Sequence, residues 1–86
     1  MSYEVGFKPS ALREVRKLDE VTRKAIISAV ELLVDNPRPD GCKKLKGENN
    51  LYRIRVMGNY RVIYEIQDRR LIVNVVKVGH RRDVYK

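Results

Sequence analysis

The spacing of apolar residues changes period twice along this chain. Residues 3–8, Tyr3-Glu4-Val5-Gly6-Phe7-Lys8, alternate apolar and polar, which puts Tyr3, Val5 and Phe7 on one face of a short strand. Gly6 weakens that strand and marks a close backbone approach. Pro9 suits a first helical position, where a missing N–H costs nothing, with Ser10 as the alternative cap. Leu12, Val15 and Leu18 then give a short amphipathic helix ending near Lys17. Asp19 is placed to cap a second helix, in which Ile26, Ala29, Val30 and Leu33 recur at helical spacing and Ala25 and Leu32 widen the stripe. Asn36-Pro37 stops it. The pattern predicts a helical hairpin over 9–17 and 19–35.

Residues 36–50 carry Pro37, Pro39, Gly41, Gly47 and Asn49-Asn50, a loop of about 15 residues, long for a compact domain and of a length often tied to function. Beyond it the period returns to two. Leu51–Val56, Tyr60–Ile66 and Leu71–Val78 read as strands, separated by Gly58-Asn59 and by Gln67–Arg70. The last is apolar on both faces, Val73 and Val75 against Ile72 and Val76, so it belongs inside the sheet. The predicted order is β-α-α-β-β-β, an α+β fold. Residues 1–86 form a single domain, a small mainly antiparallel sheet packed against the N-terminal helical hairpin.

Alternation also sorts the strand side chains. Tyr52, Ile54 and Val56 share one face with Tyr60, Val62, Tyr64 and Ile66 if both strands serve one core. Arg53, Arg55 and Arg61 then stand together on the outer face, with Ile63 and Glu65. Paired residues share a face, so Arg55 is expected opposite or near Arg61, across a three-residue turn Met57-Gly58-Asn59 with glycine or asparagine left-handed. A two-residue turn would put Arg61 in the core, where an unpaired guanidinium is costly.

Charge sharpens this picture. The formal net charge is +8. Residues 1–42 hold seven Lys/Arg and seven Asp/Glu, whereas residues 43–86 hold twelve and four, so the whole excess sits in the second half. A one-sided basic field attracts polyanions, nucleic acid first among them, although an acidic protein would respond equally. One cysteine, Cys42, allows no internal disulfide and fits a reducing cytoplasm; it reads as a loop thiol. Cys42 and His80 are too few for a structural metal site, so no metal and no cofactor is expected. No apolar run approaches a membrane span, and the first residues lack a signal-peptide pattern, so a cytoplasmic protein with no membrane partner is expected.

Three arginines on one sheet face repel one another unless an anion compensates them. A solvated face that deters aggregation is the plain alternative, but mixed lysine and glutamate would serve that better. Guanidinium groups bind phosphate oxygens bidentately, so the set reads as a phosphate cradle. Glu65 is expected to pair with one of the arginines. The chain ends Val78-Gly79-His80-Arg81-Arg82-Asp83-Val84-Tyr85-Lys86. This segment adds an imidazole that titrates near neutrality, two arginines and an aromatic that can stack on a base. A frayed basic tail fits its spacing equally well. RNA brings its own nucleophile, the ribose 2′-hydroxyl. Its cleavage needs cations on the phosphate, a proton acceptor, a proton donor and alignment, and no metal.

The runs Lys44-Leu45-Lys46-Gly47, Leu51-Tyr52-Arg53-Ile54-Arg55, Tyr60-Arg61-Val62-Ile63-Tyr64-Glu65 and Val78-Gly79-His80-Arg81-Arg82-Asp83-Val84-Tyr85 together resemble the RelE branch of the RelE/ParE toxin superfamily. The opening Phe7-Lys8-Pro9-Ser10-Ala11 and Val15-Arg16-Lys17-Leu18 fit as well. The resemblance implies a β-α-α-β-β-β toxin, partnered by an acidic RelB-like antitoxin, that enters the ribosomal A site and cuts mRNA there. It implies that Arg61 and Arg81 hold the scissile phosphate and that Tyr85 stacks on the substrate base. Arg53 and Arg55 fall where the best-known members have lysines, one a proposed general base, and arginine makes a poor base. Either His80 takes the proton, or catalysis leans on charge stabilisation and the ribosome. Lys43, Lys44, Lys46 and Arg82 are expected to contact ribosomal RNA. ParE relatives share the fold and inhibit DNA gyrase without catalysis, which is the alternative reading, beside a plain RNA- or ribosome-binding module.

Overall fold

The valines and isoleucines of the C-terminal strands dictate where everything else packs. The computed structural model describes residues 2–47 and 50–84. Its elements are β1 (Glu4–Phe7), α1 (Pro9–Arg16), α2 (Glu20–Leu32), β2 (Lys43–Lys44), β3 (Leu51–Val56), β4 (Tyr60–Gln67), β5 (Ile72–His80) and α3 (Arg81–Val84). The strands form one sheet in the order β1-β5-β4-β3-β2. β1 runs parallel to β5, and the other neighbours are antiparallel. The interior position expected for the last strand is therefore found, and the fold class is the α+β arrangement read from the pattern.

One face of the sheet is covered by the helical hairpin. Ala11 and Val15 of α1 and Ile26, Val30 and Leu33 of the α2 region meet Ile54, Val56, Val62, Tyr64, Ile66, Val73, Val75 and Val78. Each buried aliphatic side chain contributes about 1.5–3 kcal/mol relative to exposure. Pro9 opens α1 directly after an extended Lys8, and the Asp19 carboxylate accepts from the Thr22 N–H at 3.3 Å to cap α2. Both starts were legible in the sequence.

Five details differ from the pattern. Ala11 rather than Leu12 reaches the core, and Leu32 is 72% exposed, so the stripe is narrower than expected. α2 stops at Leu32 instead of residue 35 because the Val34 carbonyl turns to accept the Tyr3 N–H at 2.7 Å. The expected loop 36–50 contains β2, whose Lys43 and Lys44 pair with Arg53 and Tyr52. In the three-residue β3–β4 turn it is Met57 (φ 54°) and Gly58 (φ 74°) that take the left-handed region, not Asn59. Finally, β5 carries a bulge. Ile63 pairs with Lys77 but Tyr64 pairs with Val75, so Val76 is an extra residue. The bulge reverses the alternation, moving Val78 into the core and Lys77 onto the outer face. The Val78 N–H is taken by the Glu14 carboxylate of α1 at 3.1 Å.

The segment after α2 is clamped to the sheet. Tyr64 is fully buried and its hydroxyl donates to the Pro37 carbonyl at 2.7 Å. Burial pushes its phenol above the ordinary range. Arg38 lies over the Tyr52 ring, 5.1 Å from its centroid, and forms a bidentate pair with Asp68 at 2.8 and 3.2 Å. The Tyr3 hydroxyl donates to the same carboxylate at 2.7 Å. These donors, Arg38 before Tyr3, lower the Asp68 pKa from 3.8 to about 2.

Two predictions follow from the clamp's chemistry. Tyr64→Phe removes a buried hydrogen bond and should lower unfolding stability by about 1–2 kcal/mol, read from urea denaturation. An unchanged midpoint would show that the bond contributes nothing. Because the folded-state pKa of Asp68 is depressed, its contribution is present above the unfolded value of 3.8 and fades as pH falls through about 2. Asp68→Asn should therefore melt earlier than the parent at neutral pH, with the gap narrowing as the solution is acidified across that window.

Candidate nucleic-acid interface

The strand register lays the cations out as two rows on the face away from the helices. The first row runs Lys43, Arg53, Ile63, Lys77 across β2, β3, β4 and β5. The second runs Arg55, Arg61, Gly79 across β3, β4 and β5. The expected juxtaposition of Arg55 with Arg61 is thus met. Directly opposed side chains in an antiparallel pair have Cβ atoms about 4.5–5.5 Å apart, so the two guanidinium groups share one neighbourhood.

Arg61 is on the outer face, yet it is only 5% exposed, whereas Arg55 is exposed and Arg53 half-buried. Its Nη1 folds back over the β3–β4 turn, donating to the Gly58 carbonyl at 2.9 Å and the Tyr60 carbonyl at 3.1 Å. Its Nε is buried with no hydrogen-bond partner, and among the described residues no carboxylate lies within ion-pair distance of it. A buried cation held only by carbonyl dipoles keeps its full charge available to an incoming anion. Glu65, the carboxylate on this face, accepts from the Gln67 amide at 2.7 Å rather than pairing with an arginine.

The same turn fixes the start of the C-terminal segment. The Asn59 carbonyl accepts the Arg81 N–H at 2.7 Å. Arg81 and Arg82 are exposed at the first positions of α3, a single turn of helix beside Arg61's turn. Gly58 and Asn59 therefore tie Arg61 and Arg81 together through adjacent carbonyls. Lys44 pairs with Tyr52 and sits exposed near the sheet edge, while Lys46 is exposed in the following turn. Tyr85 lies outside the described residues.

His80 is placed differently from the expectation. It pairs with Tyr60, whose neighbours Val62 and Tyr64 set the helix side of the sheet, so its ring is on the face opposite Arg53, Arg55 and Arg61. The imidazole meets the Tyr60 ring edge-on, with centroids 5.5 Å apart, and its Nδ1 accepts the Arg82 N–H at 3.3 Å. The lone pair a base would use is engaged in capping α3. The reason is parity: Gly79 pairs with Arg61, so the next residue must face the other way. The residue that alternation missed is Lys77. Its signal was the phase slip in Val73-Asn74-Val75-Val76-Lys77-Val78, where apolar positions change from odd to even.

Among the described residues, no group of three or more His, Cys, Asp or Glu side chains is arranged to hold a metal ion. No helix of the described residues is long and apolar enough to cross a membrane.

Comparison with known proteins gives a consistent set of likenesses. The sequence family described as the ParE toxin of the type II toxin–antitoxin system parDE matches residues 5–85. The mRNA interferase toxin RelE of Escherichia coli K12 is 32% identical over 82 residues, covering 94% of this chain and 85% of that protein. The chain is also similar to two solved toxin–antitoxin complexes. For the intact Escherichia coli RelBE complex the TM-score is 0.81 at 30% identity, covering 92% of this chain and 96% of that one. For the Mycobacterium tuberculosis RelBE2 complex it is 0.82 at 29% identity, covering 94% and 100%.

Proposed function

Because the chain belongs to the RelE/ParE superfamily of type II toxin–antitoxin toxins, we propose that it is an endoribonuclease that cuts mRNA in the ribosomal A site. The observation that carries this reading is the Arg61 guanidinium, buried with no carboxylate partner among the described residues and flanked by Arg55 and by the start of α3. A cation left uncompensated inside a fold is costly, and a substrate phosphate offsets that cost at the moment it binds.

In this mechanism the ribose 2′-oxygen attacks the adjacent phosphorus and the bond to the 5′-oxygen breaks. Negative charge grows on the non-bridging oxygens. Arg61 and Arg81 stabilise it from adjoining positions, with Arg55 and Arg53 extending the same positive face. Tyr85 keeps the role that its place in the family implies, stacking on the base to align the attack. Lys43, Lys44, Lys46 and Arg82 supply contacts to ribosomal RNA, which is where a basic rim is most useful. His80 acts by capping α3 and so positions Arg81. A RelB-like acidic antitoxin neutralises the toxin. Its support is the likeness to solved RelBE complexes and the one-sided charge of this chain.

A gyrase-directed activity is the second reading, favoured by the ParE description of the matching family. The two separate in one experiment. Ribosomes stalled on a defined mRNA are incubated with the toxin and the RNA 5′ ends are mapped. Cuts at A-site codons support the nuclease; intact mRNA together with gyrase-dependent DNA damage supports the other.

Arg81→Ala should lower the single-turnover cleavage rate by about 10²–10³-fold with an unchanged melt, because the side chain is exposed and its backbone contact survives. A rate near that of the parent would remove Arg81 from the site. His80→Ala should slow cleavage through α3 while leaving the shape of the pH–rate profile intact. A flattened profile would return the imidazole to the proton-transfer role.

A further inference from the structure

Among the described residues, the arginine face has charge to stabilise a phosphorane but, beside Arg61, its arginines offer no group to accept the 2′-hydroxyl proton. Arginine stays protonated at any ordinary pH. His80 is on the opposite face with Nδ1 occupied. Glu65 is bonded to Gln67, and four residues along β4 from Arg61 it is about 13 Å away. Two lysines in the strands share the arginine face, Lys43 and Lys77. Lys43 lies on the edge strand, exposed, two strands from Arg61 and hence about 10 Å or more away. Lys77 is half-buried on the strand next to Arg61, diagonal to it across the Arg61–Gly79 pair, a spacing of about 7–8 Å that a lysine side chain spans.

Two features of β5 make that position a working one. The Val76 bulge is what turns Lys77 from the core to the arginine face. Gly79, paired with Arg61, places no side chain between Lys77 and α3. β1 ends its pairing at Val75, which leaves this part of β5 uncovered on its far side.

Resting on the nuclease reading above, we propose that Lys77 is a catalytic residue, the general base that the arginines at positions 53 and 55 do not provide. The neutral Lys77 amine takes the 2′-hydroxyl proton as the 2′-oxygen bonds to phosphorus. The phosphorus–5′-oxygen bond breaks with its electron pair going to the 5′-oxygen, which is protonated by water. The ammonium later releases its proton to the hydroxide so formed, and no other reactant is consumed. The charged residues on the elements around β5 are Arg61 and Glu65 on β4, Glu4 on β1, Arg13, Glu14 and Arg16 on α1, and Arg81, Arg82 and Asp83 on α3. Glu14 and Glu65 are engaged with the Val78 N–H and the Gln67 amide, and Arg61 lies diagonal to Lys77 across the Arg61–Gly79 pair.

The test uses the full chain on mRNA-programmed ribosomes, single turnover, from about pH 6 to about pH 9. The parent should cleave with a rate that rises with pH. Lys77→Gln and Lys77→Arg should both fall by about 10²–10⁴-fold, the range for loss of general-base catalysis. Lys24→Gln, which removes one positive charge from the exposed α2 surface, should cleave like the parent. Lys77→Ala should regain rate on addition of ethylamine, an effect that neither misfolding nor lost packing produces. Near-parent activity of Lys77→Arg shows that charge alone suffices and overturns the base assignment, as does Lys77→Gln at the parent rate. Absence of cleavage by the parent itself removes the nuclease reading and this role with it.

Discussion

Everything on the basic face depends on how one guanidinium is held. Arg61 is buried on an open sheet face, and two carbonyls of its own turn are its acceptors. In the turn that carries Gly58, Met57 and Gly58 adopt left-handed backbone. For methionine that conformation costs about 1–2 kcal/mol, a strain that persists only where surrounding structure over-determines it. Here the over-determination has three sources: the register of β3 with β4, the docking of α3 on the Asn59 carbonyl, and the Arg61 side chain itself. The turn is thus both hinge and cradle. It brings Arg61 and Arg81, distant in sequence, onto the adjacent carbonyls of Gly58 and Asn59.

The body of the domain serves the opposite requirement. Its helix side is packed and its clamp is satisfied: Tyr64 with Pro37, Arg38 with Asp68 and Tyr52, Tyr3 with Asp68. The stacked Tyr52 and Tyr64 rings, 6.1 Å apart, join that clamp to the core side of β3 and β4. Among the described residues the clamp's polar groups are paired, whereas on the opposite face the Arg61 Nε is buried with no hydrogen-bond partner. The single strong ion pair of the clamp, on the loop leading into β2, secures the approach to Lys43 and Lys44 without drawing a carboxylate toward the arginine face.

Periodicity carried most of the architecture. The β3–β4 register followed from one argument, that both apolar faces must meet one core, and it placed Arg55 against Arg61 correctly. The helix starts were equally legible, since proline and aspartate caps act locally. What escaped was non-local or depended on a single-residue slip. β2 is two residues of lysine, with no apolar pattern, and exists only because β3 offers it an edge. The clamp joins residues 3, 38, 52, 64 and 68, which no window of the sequence brings together. The bulge at Val76 reversed the faces of all that follows, so Lys77 came to the arginines while Val78 entered the core. His80 was chosen by its chemistry rather than by parity, and parity puts it on the other side.

The pairing of β1 with β5 has a consequence for synthesis. Glu4 is matched with Ile72 and Phe7 with Val75, so the first strand made waits for the last. Contacts of such long sequence separation close slowly and only after the intervening chain exists. The strand that carries Lys77 and Gly79 is made after every other strand of the sheet. The row Arg55, Arg61, Gly79 is therefore complete only once β5 has docked between β1 and β4.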